Sequence, residues 1–346
     1  MAGLGHQCFV LGFIIKMSND LNLDVYFPEF AQYLLSGSAS PAFAKLCAVG
    51  TWKIHANNAL EASLCKQFGL AKQADWPLAP LALMGEGIEQ EAGYWFLVHP
   101  VHFVLQRDFL TLGEALSLSP QESATLLADL NRQFSEDGLR FLPSQSGDFW
   151  YLHMAEHVDV ASYLLAQALG RDVGKHMPHG KHGMKFQALL NEVQMLLHDH
   201  AINAMREQQG LLAVNSIWLS GGGSGESITK PVQTPIFQLF ANDALSVGLA
   251  KWAGIPCQPL SIDLTTIHIS AMQSDHAILV LDHANDLEAI CFSPLLKALK
   301  QGALKSLRCH FDVHGMTFTL QLKPRDTWKF WRPLNPITHY FNLANN

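Results

Sequence analysis

Residues 186–225 constrain the fold of this chain more than any other stretch. Phe186, Leu189, Leu190, Val193, Leu196 and Leu197 recur at helical spacing, so one face of a helix is buried there. His200, Asn203 and Arg206 continue that helix along a polar side, and Gly210 stops it. Val214 to Leu219 is an apolar run of strand length, interrupted by Asn215 and Ser216, and it opens into Ser220, Gly221, Gly222, Gly223, Ser224 and Gly225. A strand that ends in such a loop presents bare backbone N–H groups, which suit an anion or a closely packed ligand. Arg206 brings a guanidinium, able to grip phosphate with two N–H groups, close to the same strand. Its bland alternative is a surface ion pair with Asp199 or Glu207.

Strands and helices alternate on both sides of this stretch. The apolar run Cys8 to Ile15 reads as a buried first strand, Phe30 to Leu35 as a short helix, and Asn58 to Phe68 as a helix stopped by Gly69. Trp76, Pro77 and Pro80 predict an extended passage into Leu81 to Met84. Glycine and glutamate replace apolar residues over Gly85 to Gly93, where a domain boundary is expected. Tyr94 to Leu105 has strand character, and so has Phe141 to His153. Between them Ser119, Pro120 and Glu122 form a capping box for a helix through Phe134. After a His-rich linker and the central stretch, Asn242 or Asp243 caps a helix through Trp252. Ala277 to Asp282 is a short strand, Pro294 to Lys300 a helix, and Leu307 to Phe311 with Met316 to Leu322 a hairpin turning near His314 and Gly315. An α/β sheet flanked by helices follows, with a smaller inserted α+β unit: 1–92 and 174–346 form the sheet domain and 93–173 the insertion.

The charge balance excludes one class of function. With 23 Lys and Arg against 30 acidic residues and a formal charge of -7, no basic run exists to track phosphates, so no nucleic-acid partner is expected. Cysteines 8, 47, 65, 257, 291 and 309 are scattered without a CxxC pair, which fits reduced thiols and a cytoplasmic location. Cys8 to Ile15 is too short to span a bilayer and lacks a basic segment before it, so no membrane partner is expected.

Seventeen histidines invite a metal reading. His153 and His157 lie four apart but lack the glutamate of a zincin motif. His176, His179 and His182 sit among Met177, Pro178 and Gly180 in loop, and Ser274, Asp275 and His276 form only a three-residue corner. Surface histidines are the expectation, with no metal and no cofactor. The glycine stretch lacks the Lys-Ser/Thr of a P-loop, and Glu226 stands at the last glycine of a GxGxxG motif.

The segments SLCKQFGLAKQADWPLAP, HPVHFVLQRDFLTL, DGLRFL and NEVQMLLHDHAINAMREQQ resemble, in order, the RpfE-type regulatory proteins of bacteria, from about Asn58 to Gly254. More distantly, His200, Ala201, Asn203, Arg206, Asn215 and Gly221 to Gly223 are similar to a pattern in archaeal-type cofactor-independent phosphoglycerate mutases of the alkaline phosphatase superfamily. That resemblance implies an alkaline-phosphatase-like sheet with an inserted substrate domain. It does not extend to the catalytic parts. The mutases carry an Asp-Gly metal-binding turn after strand one, where Lys16, Met17 and Ser18 stand here. Their nucleophilic serine falls at Leu60 and Glu61, and their Asp-His-Thr-Pro signature is not matched by Ser274, Asp275, His276, Ala277 and Ile278. A non-catalytic, regulatory, mutase-like protein is implied. Its expected site is His200, Asn203, Arg206, Asn215, Ser220, Gly221, Gly222 and Gly223, holding a small anionic or phosphorylated metabolite. Two readings stand beside it: a mutase-like or phosphoesterase enzyme with a site rebuilt from His198, His200 or histidines 176 to 182, and a scaffold that binds a protein partner through its surface.

Overall fold

The structure, a computed structural model, describes residues 21–28, 30–35, 40–55, 58–231, 234, 236–260, 274–281 and 286–341. The strands in chain order are β1 (Asn22–Phe27), β2 (Thr51–His55), β3 (Tyr94–Leu105), β4 (Leu110–Ala115), β5 (Leu139–Pro143), β6 (Trp150–Met154), β7 (Ser216–Gly223), β8 (Gln238–Phe240), β9 (Cys257–Gln258), β10 (His276–Val280), β11 (Ser306–Val313) and β12 (Met316–Leu322). The run Cys8 to Ile15 lies outside the described residues.

Alternation along β1 sets how the larger sheet is covered. Leu23, Val25 and Phe27 enter one core with Phe30, Phe43, Phe292 and Phe311, while Tyr26 shares the opposite core with Leu60, Cys65, Leu249 and Val280. A strand buried on both faces belongs inside a helix-covered parallel sheet. The sheet order is β2-β12-β11-β1-β10-β8-β9. β11, β1, β10, β8 and β9 run parallel, and the hairpin partner β12 and then β2 add an antiparallel edge.

The second sheet is built around β3. β7 pairs along one of its edges, β6 and β4 share the other, and β5 lies beyond β6, all antiparallel. The helix Pro120–Phe134 covers it through Leu126, Leu127, Leu130 and Phe134, and the helix Gly183–His198 through Phe186, Leu189, Leu190, Val193 and Leu197. The sheet and its core therefore extend to Gly223, past the boundary expected at 173.

Local signals placed most elements. Ser119 accepts from the Glu122 N–H and Glu122 returns the bond to Ser119, and Asp243 caps the helix Ala244–Ala253. Three details differ from the sequence reading. The expected extended passage into Leu81 to Met84 is a helix, Leu78–Glu86, closed by Gly87 at φ 72°. It packs so closely on Ala244–Ala253 that a Cβ at Gly85 or Gly248 would overlap backbone. The single central helix is two, Gly183–His198 and Ala201–Gln208, separated at Asp199 and His200. The glycines expected in a loop are the end of β7. Among the described residues no helix is long and apolar enough to cross a membrane.

Candidate functional site

The polar residues expected to hold a ligand hold the second sheet together instead. Arg206 is buried, with Nε donating to the Leu212 carbonyl and Nη1 to Glu122 Oε1, both at 2.7 Å. Its carboxylate partner is thus neither Asp199 nor Glu207. Asn203 donates to the Leu197 and Val214 carbonyls and accepts from the Val214 N–H. His200 accepts the Ile202 N–H on Nδ1, so Nε2 donates to Asp129 Oδ2 at 2.8 Å. Asn215 exchanges two bonds with the Phe103 backbone, extending the β3–β7 ladder by one rung.

The glycines serve packing. A Cβ on Gly222 would lie 2.6 Å from the Phe96 ring and 2.8 Å from that of Tyr94, and one on Gly223 would meet Pro77 at 2.5 Å. Gly221 has φ 63°, which costs glycine little. Their backbone faces the helix Leu78–Glu86 and β3. Of the expected residues, Ser220 lines a cavity.

That cavity, of ≈490 Å³, lies between the two sheets where β1, β10 and β11 end. Ligands of open parallel sheets bind outside the carboxyl ends of the strands. Tyr26 comes from β1, Asp312 from β11, Glu61 from the first turn of the helix Leu60–Gln67, Asp243 from the cap of Ala244–Ala253, and His99 and Ser220 from the second sheet. Glu61 Oε2, Asp312 Oδ2 and His99 Nδ1 are buried there without a hydrogen-bond partner. Burial pushes Asp312 up to about 7, reinforced by the charge of Glu61. Burial raises Glu61 as well, with Asp243 adding to it. His99 is held down at about 4 by burial, so its ring is neutral. Among the described residues neither Lys nor Arg lines the cavity. Two facing acids in a desolvated site do not both ionise at neutral pH, so the pair keeps a proton it can donate while offering carboxyl oxygens as acceptors.

Sequence reasoning missed this group because Glu61 and Asp312 are far apart in the chain and lie in no motif. The histidine clusters are scattered. His153 sits on β6 and bonds the Ala92 carbonyl, whereas His157 is exposed. The rings of His176 and His179 pack on Tyr163, and His182 accepts the Asp159 N–H. Among the described residues, which leave out Asp282 and His283, no three His, Cys, Asp or Glu are placed to hold a metal ion. The segment after β1 is Pro28, and the mutases' Asp-Gly turn is absent from that place too.

A second polar group lies on the larger sheet itself, toward the end where the parallel strands begin. Asp24, buried in β1, takes Arg308 Nε and Nη2 at 2.5 Å each, His276 Nε2 at 2.6 Å and His310 Nε2 at 3.3 Å. Burial opposes its ionisation, but the bonds from His276, His310 and Arg308 outweigh it and hold the carboxyl far below the usual range. The expected corner Ser274, Asp275 and His276 contributes only His276 to this group.

No protein-family model matches the chain. It is 28% identical over 120 residues to the 2,3-bisphosphoglycerate-independent phosphoglycerate mutase of Methanosarcina mazei, covering 32% of this chain and 28% of that protein. It is 26% identical over 146 residues to the Methanosarcina barkeri enzyme, covering 40% and 34%. The alignments thus span only about a third of these curated relatives. Among solved structures, the cofactor-independent phosphoglycerate mutase from Thermoplasma acidophilum aligns over 88% of this chain and 89% of its own, at 13% identity and a TM-score of 0.39. The PH0037 protein from Pyrococcus horikoshii aligns over 88% and 87%, at 12% identity and 0.46. The chain is an α/β protein with distant sequence similarity to archaeal cofactor-independent phosphoglycerate mutases.

Proposed function

We propose that this chain is a mutase-like protein without phosphoryl-transfer chemistry, which binds a small molecule in the cleft between its sheets and acts in regulation. The resemblance to RpfE-type regulatory proteins supports the regulatory part. One observation carries the rest: the helix that opens onto the cleft begins with Leu60 and Glu61, the place to which the sequence resemblance would carry the mutases' serine nucleophile. Leu60 has no group to accept a phosphoryl, and Glu61, whose carboxyl burial pushes up, is a poor nucleophile. The same carboxyls set the ligand class. An anionic metabolite would meet Glu61, Asp243, Asp312 and Glu114 with no Lys or Arg among the described lining residues to receive it, so the ligand is a neutral or cationic molecule rich in hydrogen-bond donors.

A thermal-shift screen with amines and polyols set against 3-phosphoglycerate and other phosphate esters, with and without Mn²⁺ or Zn²⁺, tests this. The expected result is a rise with donor-rich compounds that Asp312→Asn and Glu61→Ala remove, and no turnover of 3-phosphoglycerate. Metal-dependent turnover, or a phosphate-ester shift that survives both substitutions, would overturn the reading.

A further inference from the structure

At the other end of the larger sheet, where the parallel strands begin, an open, mainly basic pocket of ≈980 Å³ is lined by Arg308, Lys323, Arg325 and Lys329, with His276 and the carboxylates Asp275 and Asp326 beside them. Arg308 is matched by Asp24, and Lys329 by Asp326 at 2.8 Å. Lys323, Arg325 and Arg332 form no ion pair among the described residues. Residues 323–332 hold four cations and one carboxylate, in a chain of formal charge -7.

The same segment carries a run of exposed apolar side chains. Trp328, Phe330, Trp331 and Leu334 are 76%, 79%, 67% and 62% exposed. They are not the loose end of an unfinished core, because the segment is fastened on both sides. Asp326 accepts from the Lys323 N–H, and Lys329 Nζ reaches the Val49 carbonyl. Beyond the segment Tyr340 stacks on Trp52, and Phe341 packs among Phe30 and Phe318. The turn therefore presents its aromatic side chains while its ends stay docked.

Such a surface leaves two demands unmet: apolar area in water, and cations without counter-charges. An anionic bilayer answers both, since aromatic rings settle at the headgroup level and Lys and Arg meet the lipid phosphates. We propose that residues 323–334, with the basic pocket beside them, dock this protein onto an anionic lipid surface. This attachment is peripheral and needs no spanning helix; it revises the expectation of no membrane partner and is independent of the ligand reading for the cleft.

The test is co-sedimentation of the full chain with vesicles of phosphatidylcholine alone and with added phosphatidylglycerol, at low and high salt. Binding to the phosphatidylglycerol vesicles alone, weakened by salt, is expected, with a blue shift of tryptophan emission. Replacing Lys323, Arg325 and Arg332 by Gln is expected to weaken it roughly a hundredfold, at about fivefold per charge. Trp328→Ser with Phe330→Ser and Trp331→Ser is expected to abolish the blue shift and the binding. Both sets lie at the surface, and unchanged circular dichroism checks that they fold. No vesicle binding, binding that both variants keep, or binding displaced by soluble glycerol phosphate would overturn the proposal; capture of an acidic protein without vesicle binding would do the same.

Discussion

Arg206 and Asp312 show how differently two buried charged residues are used. Arg206 has its donors spent on Glu122 and the Leu212 carbonyl, so it is a structural cation. Arg206→Ala strands Glu122 and a carbonyl, and urea unfolding is expected to show a loss of about 3 kcal/mol or more, with ligand binding in the cleft unchanged in the folded protein. Asp312 keeps a bare oxygen in the cleft. The sequence displayed Arg206 openly, because it sits beside a motif-like strand. It hid the partner Glu122, 84 residues away, and it hid Asp312 among the alternating residues of an ordinary strand.

At the scale of elements, structure was legible wherever its cause was local. The helix Pro120–Phe134 is specified by its own cap, and the hairpin β11–β12 by the turn at His314 and Gly315. The glycines of β7 were not legible, because what requires them lies more than a hundred residues earlier: two rings on β3 against Gly222, Pro77 against Gly223 and Leu78 against Gly221. A glycine run read alone suggests a loop, but here it is a strand with no room for side chains. Gly222→Ala is accordingly expected to cost about 1–3 kcal/mol by forcing Phe96 or Tyr94 aside, a loss that Phe96→Leu in the same chain would partly relieve in thermal unfolding. The candidate site suffered the same limitation, since the cleft draws on a helix start, a helix cap, three strand ends of the larger sheet and three strands of the smaller one.

For the whole molecule, the two buried carboxylates act on different limbs of the stability profile. Asp312 has a folded value of about 7, above its ordinary 3.8. Folding therefore takes up a proton between those values, and the stability this contributes is present at low pH and lost as pH rises through about 7. Asp24 is depressed, so its contribution is present above its ordinary range and lost as the solution is acidified. Melting temperatures measured from pH 5.5 to about 8.5 are expected to fall toward the alkaline side, and Asp312→Asn is expected to flatten that fall while leaving the acid limb in place. A wild-type profile that rises across neutral pH would contradict this assignment. The strand order carries a further consequence for how the chain is made. Both neighbours of β1, β10 and β11, lie beyond residue 275, whereas the smaller sheet is complete once Gly223 has been added. On a ribosome the middle of the chain can finish its sheet while β1 still waits, so a strand synthesised early is among the last to be enclosed.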